Sequence, residues 1–350
     1  MEAAIDNQQN LYQAWAEFRK THPKVRIRDA AKQLGVSEAQ LVATRCGETS
    51  TRLRNDYDAI FSELESFGEL LAITRNDTVV HETRGEYLAM RKRGNVAMFF
   101  KPGLDTRFFF DNWSSVFAVN ENERFSIQFF DRHGHAAHKI YMTEHTDLTR
   151  YHNLVNRFIA KDQYAPLTID PVPAKSFPAH LDGERLRSDW AAIKDVHEAS
   201  TIIRSSGCGD HQSVYRELGI DYACPLKPAS IENLLQTFAE RQLEIMIFAM
   251  GQYAVQSYGG KITKTLYTGP WFNILDENFS LHLRYEDIAA VWLVRKPSDD
   301  GWITSLDVFD RNGKELMVIC ANRSRGYPER EEWTQTLLEV ASSFHLPLLD

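Results

Sequence analysis

Cysteine is scarce in this chain: of 350 residues only Cys46, Cys208, Cys224 and Cys320 carry a thiol, and no two are spaced as CxxC. That excludes a zinc ribbon and argues against a disulfide framework. No apolar run approaches the ~20 residues needed to span a bilayer. Residues 1–10 are polar and acidic, unlike a secretory signal. Positive charge is in deficit too, with 40 Lys and Arg against 48 Asp and Glu, a formal charge of −8. No bulk attraction to nucleic acid or an anionic membrane surface is therefore expected. GxGxxG, P-loop, HExxH and GxSxG motifs are absent, which leaves no sign of a nucleotide fold, a zincin or a serine hydrolase. A reducing compartment, the cytoplasm, fits these absences.

What the chain does contain is itself, twice. An offset of 175 brings Leu11, Trp15, Ala16, His22 and Ile27 onto Leu186, Trp190, Ala191, His197 and Ile202. The same offset brings Glu69, Val80, Gly85, Gly94, Val116 and Val119 onto Glu244, Val255, Gly260, Gly269, Val291 and Val294. A four-residue insertion in the second copy then moves the offset to 179, where Phe130-Asp131-Arg132-His133-Gly134 meets Phe309-Asp310-Arg311-Asn312-Gly313. Ordered matches along both halves imply a tandem duplication.

Each copy predicts an opening helix (11–21, 186–197) and a shorter helical region (36–46, 210–218), from apolar residues at helical spacing. Strands are expected over 69–81, 96–100, 107–110 and 116–119, and over 244–257, 271–275, 279–284 and 291–294. Hairpins turn at 131–134 and 310–313, and amphipathic helices over 148–159 and 331–341 close the copies. The fold class is α+β: each half a large antiparallel meander flanked by helices. The expected domains are 1–163 and 181–350. Between them, 164–180 carries Pro166, Pro171, Pro173 and Pro178 and reads as a stiff linker.

Several residues stand out as chemistry. His197 is expected at the C-terminal end of the second copy's first helix, where the dipole favours imidazolium although a neutral ring can bind a metal. A surface or capping histidine is the commoner occupant of such a place. Its counterpart His22 precedes Pro23, which biases it out of helical geometry, so His197 is the better ligand candidate. Arg107, amid Leu104 and Phe108 to Phe110, faces either solvent by simple alternation or a pocket, and its counterpart is His282. His133, His135 and His138 resemble a metal tract, yet the second copy has Asn312, Lys314 and Met317 there, so solvated histidines in a polar turn are expected. His211 is likewise expected at the surface. Arg295, Lys296, Arg323 and Arg325 read on their own as a solvated cationic face.

At Asp195-Val196-His197, Trp271-Phe272-Asn273-Ile274, Phe279-Ser280-Leu281-His282, Arg295-Lys296-Pro297 and Thr304-Ser305-Leu306 the chain resembles the bacterial haemin-degrading factor family. These are cytoplasmic haem-utilisation (haemin transport) proteins of Gram-negative bacteria. The resemblance runs over essentially the whole chain, including 104–113, 126–131 and Arg323, Gly326, Pro328 and Trp333. It implies a haem b held by the C-terminal half, with His197 as axial iron ligand and Arg107 as a distal arginine from the N-terminal half. Lys296 and Arg323 match positions near the propionates, and Phe109, Phe248, Trp271 and Phe279 are candidate walls for the macrocycle. No CxxCH occurs, so covalent attachment is not expected. The chain departs from the family pattern at three places: Ala199-Ser200 for Phe-Phe, Asp210 for an arginine and Cys320 for an aromatic.

These features support three functional expectations. One is an enzyme that opens the haem ring and releases iron with an external electron donor and oxygen or peroxide. The second is a non-catalytic carrier passing haem from an inner-membrane importer to a separate degrading enzyme, and the third a duplicated fold that has lost haem binding. A partner reductase or diffusible reductant is expected, since no nicotinamide or flavin motif is legible. A monomer or dimer is expected, and either His22 or His282 is a candidate for a second site.

Overall fold

The computed structural model of the protein describes residues 2–100, 102–173, 181–208, 210–324 and 326–343. The first copy opens with α1 (Glu2–Thr21), α2 (Ile27–Leu34), α3 (Glu38–Ala43), β1 (Ser50–Leu53) and α4 (Tyr57–Leu64). It continues through β2 (Gly68–Arg75), β3 (Val79–Gly85), β4 (Arg91–Arg93), β5 (Val96–Phe99) and β6 (Asp105–Phe109). It ends with β7 (Trp113–Glu121), β8 (Arg124–Asp131), β9 (Ala136–Thr146) and α5 (Leu148–Phe158).

The second copy begins with α6 (Gly183–Ala191), α7 (Glu198–Ser205), α8 (His211–Leu218), β10 (Ala223–Leu226) and α9 (Ser230–Glu240). Then come β11 (Glu244–Met250), β12 (Ala254–Lys261), β13 (Thr265–Thr268), β14 (Trp271–Leu275) and β15 (Phe279–Leu283). It closes with β16 (Ile288–Lys296), β17 (Ile303–Asp310), β18 (Glu315–Ala321) and α10 (Glu331–Ser343).

The strands form two nine-stranded antiparallel sheets, ordered β1-β7-β8-β9-β2-β3-β15-β14-β13 and β10-β16-β17-β18-β11-β12-β6-β5-β4. Pairing registers repeat between copies. Val119, Ser126, Tyr141 and Leu71 stand opposite one another across β7, β8, β9 and β2. Val294, Ser305, Cys320 and Met246 do the same across β16, β17, β18 and β11. Met98 faces Arg107 as Asn273 faces His282. A register slip would turn every side chain to the other face, so agreement residue by residue is strong support for duplication.

The chain divides into two compact units, 1–75 with 82–172 and 251–256, and 76–81 with 173–250 and 257–350. Each unit therefore includes a hairpin turn from the other half of the sequence, which a simple cut near 163 and 181 does not capture. The single strands expected over 69–81 and 244–257 are in fact the hairpins β2–β3 and β11–β12. Asn76 makes the first turn: its Oδ1 accepts from the Thr78 and Val79 amides at 2.9 and 2.8 Å. Residues 164–173 carry no helix or strand, and 174–180, the rest of the expected linker, lie outside the described residues.

In the first unit α4 and α5 pack on the sheet around the fully buried Phe61, whose ring meets Tyr87, Phe99, Phe108 and Phe129 at centroid distances of 5.4, 5.5, 4.9 and 5.0 Å. Ser37 caps α3 in a reciprocal box with Gln40. Beside it Glu38, 4% exposed, is bound by Arg75 at 2.5 Å and Lys139 at 2.6 Å. Burial alone would raise its carboxyl, but Lys139, Arg75 and Arg28 hold it at about 2.

In the second unit helices cover one face of β16, β17, β18 and β11 and, on the other, only β16 and β17. Ile231, Leu234, Leu235 and Phe238 of α9 bury at helical spacing with Trp333 and Leu337 of α10 on one face. Trp190 of α6, Ala199 and Ile203 of α7 and Val214 and Tyr215 of α8 pack on the other, against Trp292, Val294 and Phe309. Trp190 locks α6 in place by donating from Nε1 to the Arg295 carbonyl at 2.9 Å. Among the described residues no helix is long and apolar enough to cross a membrane.

Candidate functional site

The α6–α8 side of the second unit's sheet is only partly covered. Strand alternation and the registers put two rows of side chains there: Val294, Ser305, Cys320 and Met246, then Trp292, Asp307, Val318 and Phe248. Helices bury the β16 and β17 members, while Met246, Phe248, Val318 and Cys320 are left half-buried. The result is an apolar floor with one thiol. Burial pushes the Cys320 thiol up to about 12 despite the opposing pull of Lys296, so at neutral pH it is an uncharged part of that floor.

Cations stand near one end. Lys296, last residue of β16, donates from Nζ to Ser305 Oγ at 2.7 Å. Arg323, beyond β18, donates from Nη1 to Asp300 Oδ2 at 2.9 Å and to the Tyr327 carbonyl at 3.1 Å. Asp300 belongs to the β16–β17 turn, Pro297–Trp302, which replaces the tight Asn122-Glu123 turn of the first copy. The four-residue insertion lies here. The same turn ties back to the helices, because the Asp299 amide donates to the Lys194 carbonyl at 3.0 Å.

His197 lies three residues beyond Lys194. It is not the end of the first helix, as its sequence position suggests: α6 stops at Ala191, and His197 is the N-cap residue of α7. The dipole argument for an imidazolium therefore lapses. Ala199 and Ile203 anchor α7 in the core, leaving the His197 side chain 90% exposed. Its Nδ1 lies 2.6 Å from Asp195 Oδ1, which also accepts the His197 amide at 3.0 Å. A carboxylate can only accept, so Nδ1 donates to it, and in a neutral ring that places the lone pair on Nε2, the arrangement of metal-binding histidines.

The other candidate residues are spread over both units. In the first unit Arg107, half-buried, and Phe109, exposed, share one face of β6, while Phe108 is buried on the other. Arg107 pairs with Asp105 and lies 5.1 Å from the Phe100 ring centroid. In the second unit Trp271 is half-buried on β14, with the Arg284 guanidinium 5.8 Å from its ring. Phe279 is 2% exposed and stacked on Tyr258 at 3.9 Å, which commits it to the core rather than to a ligand wall. His282 Nδ1 meets Asn273 Oδ1 at 2.6 Å across the strands. His22 is exposed, stacked on Phe18 at 4.6 Å. Arg325 lies outside the described residues.

The expected solvated histidine turn is corrected. His133 and His138 are 4% and 1% exposed, and only His135 is open. His138 bridges Thr74 Oγ1 at 2.8 Å and the Tyr87 hydroxyl at 2.5 Å. His211 is also not a surface residue: it is half-buried, 3.4 Å from Glu315. Burial lowers its imidazole, but Glu315 together with Asp307 and Asp210 outweighs this and raises it overall. Asp210, in place of the family arginine, caps α8 by accepting from the Gln212 amide at 3.2 Å and Ser213 Oγ at 2.7 Å. No cluster of three or more His, Cys, Asp or Glu able to hold a metal occurs among the described residues.

Sequence reasoning missed Met246 and Val318. The signal was present, for β11 reads Ile245-Met246-Ile247-Phe248-Ala249-Met250, apolar on both faces, and a second apolar face needs something to cover it.

A tandem α+β chain with nine-stranded sheets and a half-open apolar floor defines a class, and comparison places it in a family. Residues 35–158 and 210–339 both match the haemin-degrading HemS/ChuX domain, and the chain belongs to that family. It is 35% identical over 337 residues to the hemin transport protein HmuS of Yersinia pestis, covering 95% of this chain and 97% of that one. The crystal structure of holo-PhuS, a heme-binding protein from Pseudomonas aeruginosa, matches with a TM-score of 0.92 at 35% identity, covering 97% of this chain and 99% of that one. The heme degrading enzyme ChuS of Escherichia coli O157:H7 matches at 0.89 and 31% identity, with 95% and 99% covered.

Proposed function

We propose that this chain binds haem on the second unit and opens its ring, releasing iron with electrons from an external donor and oxygen or peroxide. The observation that carries the binding reading is the 2.6 Å contact of His197 Nδ1 with Asp195 Oδ1, which turns Nε2 outward on an exposed, core-anchored helix start. Family membership and the heme-binding and heme-degrading relatives support the same reading.

In this proposal Nε2 of His197 ligates the iron. Met246, Phe248, Val318 and Cys320 supply the apolar surface a flat macrocycle needs. Lys296 and Arg323 receive the propionates, Arg323 through the part of its fork that Asp300 leaves unused. Arg107 keeps the distal role, since a guanidinium stays charged and donates without titrating. Phe109, on the same strand face, is its apolar companion. Haem is the substrate, and the protein contributes ligation, orientation and exclusion of water. Reductase and importer are the proposed partners and the cytoplasm the proposed compartment.

The carrier reading uses the same ligand and floor and differs in the fate of the reduced complex. Adding ascorbate or a reductase to the haemin complex in air, with parallel samples containing catalase as the control for free peroxide, separates the two. Loss of the Soret band with iron release is the result expected; a spectrum that survives reduction unchanged would assign the chain to carriage.

A further inference from the structure

We infer that Asp307 and Asp300 are positioning residues, holding the Lys296 ammonium and the Arg323 guanidinium ready for two carboxylates of one ligand. The inference rests on the haem reading above and extends it to residues that do not touch the ligand.

Asp307 is 2% exposed in the middle of β17. Its Oδ1 accepts from Ser305 Oγ at 2.7 Å, and Ser305 Oγ in turn accepts from Lys296 Nζ at 2.7 Å. Its Oδ2 accepts from the Tyr215 hydroxyl at 2.5 Å. A buried carboxylate is thus pinned from the helix side and relays its charge through one hydroxyl to the ammonium. Arg323 is held in the same manner, with Asp300 Oδ2 also accepting the Gly326 amide at 3.0 Å.

The first copy serves as an internal control. By the strand registers and the repeat offsets, Lys296 corresponds to Glu121, Ser305 to Ser126, Asp307 to Gln128 and Arg323 to Glu144. Where the cations are missing, so are their acids. Gln128 makes a neutral bond to Ser126 Oγ at 3.1 Å, and the turn bearing Asp300 is absent. Without an ammonium to hold, the sheet carries a neutral amide at this place, whose Nε2 bonds Ser126 while its Oε1 is buried without a partner. Burying a carboxylate costs more than burying an amide, so its presence only beside Lys296 ties it to the ammonium.

The test is equilibrium titration at the Soret band with haemin and with haemin dimethyl ester, whose propionates carry no charge. Wild type should prefer haemin. Asp307→Asn and Asp300→Asn should each weaken haemin on the order of tenfold, the loss of one charge-assisted bond, and leave the ester unchanged. The Asp307→Asn effect should vanish in a Lys296→Ala background. Ser305→Ala, which breaks the relay yet keeps the Tyr215 bond, should reproduce the haemin-specific loss and covers the case of a poorly folded Asp307 variant. Equal losses for both probes, or additivity with Lys296→Ala, would overturn the inference. Wild type that binds haemin and ester equally would overturn it as well. Wild type that binds neither would instead remove the haem reading on which it stands.

Discussion

Asp195 decides which nitrogen His197 offers. Its 2.6 Å contact to Nδ1 orients the ring and keeps Nε2 available. Replacing it with Asn permits the opposite tautomer and should weaken haemin roughly 10- to 100-fold, as loss of such partners does at other metal sites; a titration checks this. Glu38 gives a residue-scale prediction of another kind. Glu38→Gln leaves the Arg75 and Lys139 charges buried without their anion and should destabilise the protein by about 3–5 kcal/mol in urea melts. The carboxyl falls from its ordinary 4.5 to about 2 on folding. Its contribution is therefore complete above pH ~4.5 and is lost as pH falls toward ~2. Wild type should lose stability across that acid window, and the Gln variant should lose less.

Single elements carry the asymmetry between copies. The β16–β17 turn supplies Asp300 and joins the loops of Lys194 and Arg323. Exchanging Pro297–Trp302 for Asn-Gly, the turn type that two-residue hairpins favour, should leave the far-ultraviolet circular dichroism unchanged while haemin affinity falls by about tenfold or more, as loss of the Asp300 charge requires. A fall no greater than that of Asp300→Asn alone would locate the effect in that carboxylate. At this scale the sequence is legible where periodicity is clean and poor where chain direction changes. Strands β14 and β15, helix α5 and the start of α10 lie within a residue of expectation, since alternation or helical spacing marks both their ends. The β11–β12 hairpin reads as a single strand because apolar residues run close to both sides of a short turn at Gly251, whereas at β2–β3 the polar run Thr74 to Thr78, with Asn76-Asp77 at its centre, carries a turn signal that a single strand over 69–81 overlooks. His197 reads as part of the wrong helix because nothing local announces the break after Ala191, where the backbone stays right-handed through Ala192.

Over the whole molecule, duplication is plain from Trp15 and Trp190 onward, and the registers repeat it. The exchanged hairpin turns are not, since they depend on pairings far apart in sequence that no local pattern encodes. Asp307 escapes notice for a related reason: an acid inside an apolar strand shows its purpose only once Lys296, Ser305 and Tyr215 are brought beside it. Duplication also bears on stoichiometry. With Glu121 and Glu144 where the second copy has Lys296 and Arg323, the first copy repels a dicarboxylate, so one haem per chain is expected.

Haemin titration of wild type, His197→Ala and His22→Ala, monitored at the Soret band, bears on the central claim most directly. Saturation at one haemin per chain, with binding weakened and the spectrum altered in His197→Ala but not in His22→Ala, is the predicted result. A non-saturable response in wild type, or the same response in both variants, would contradict it.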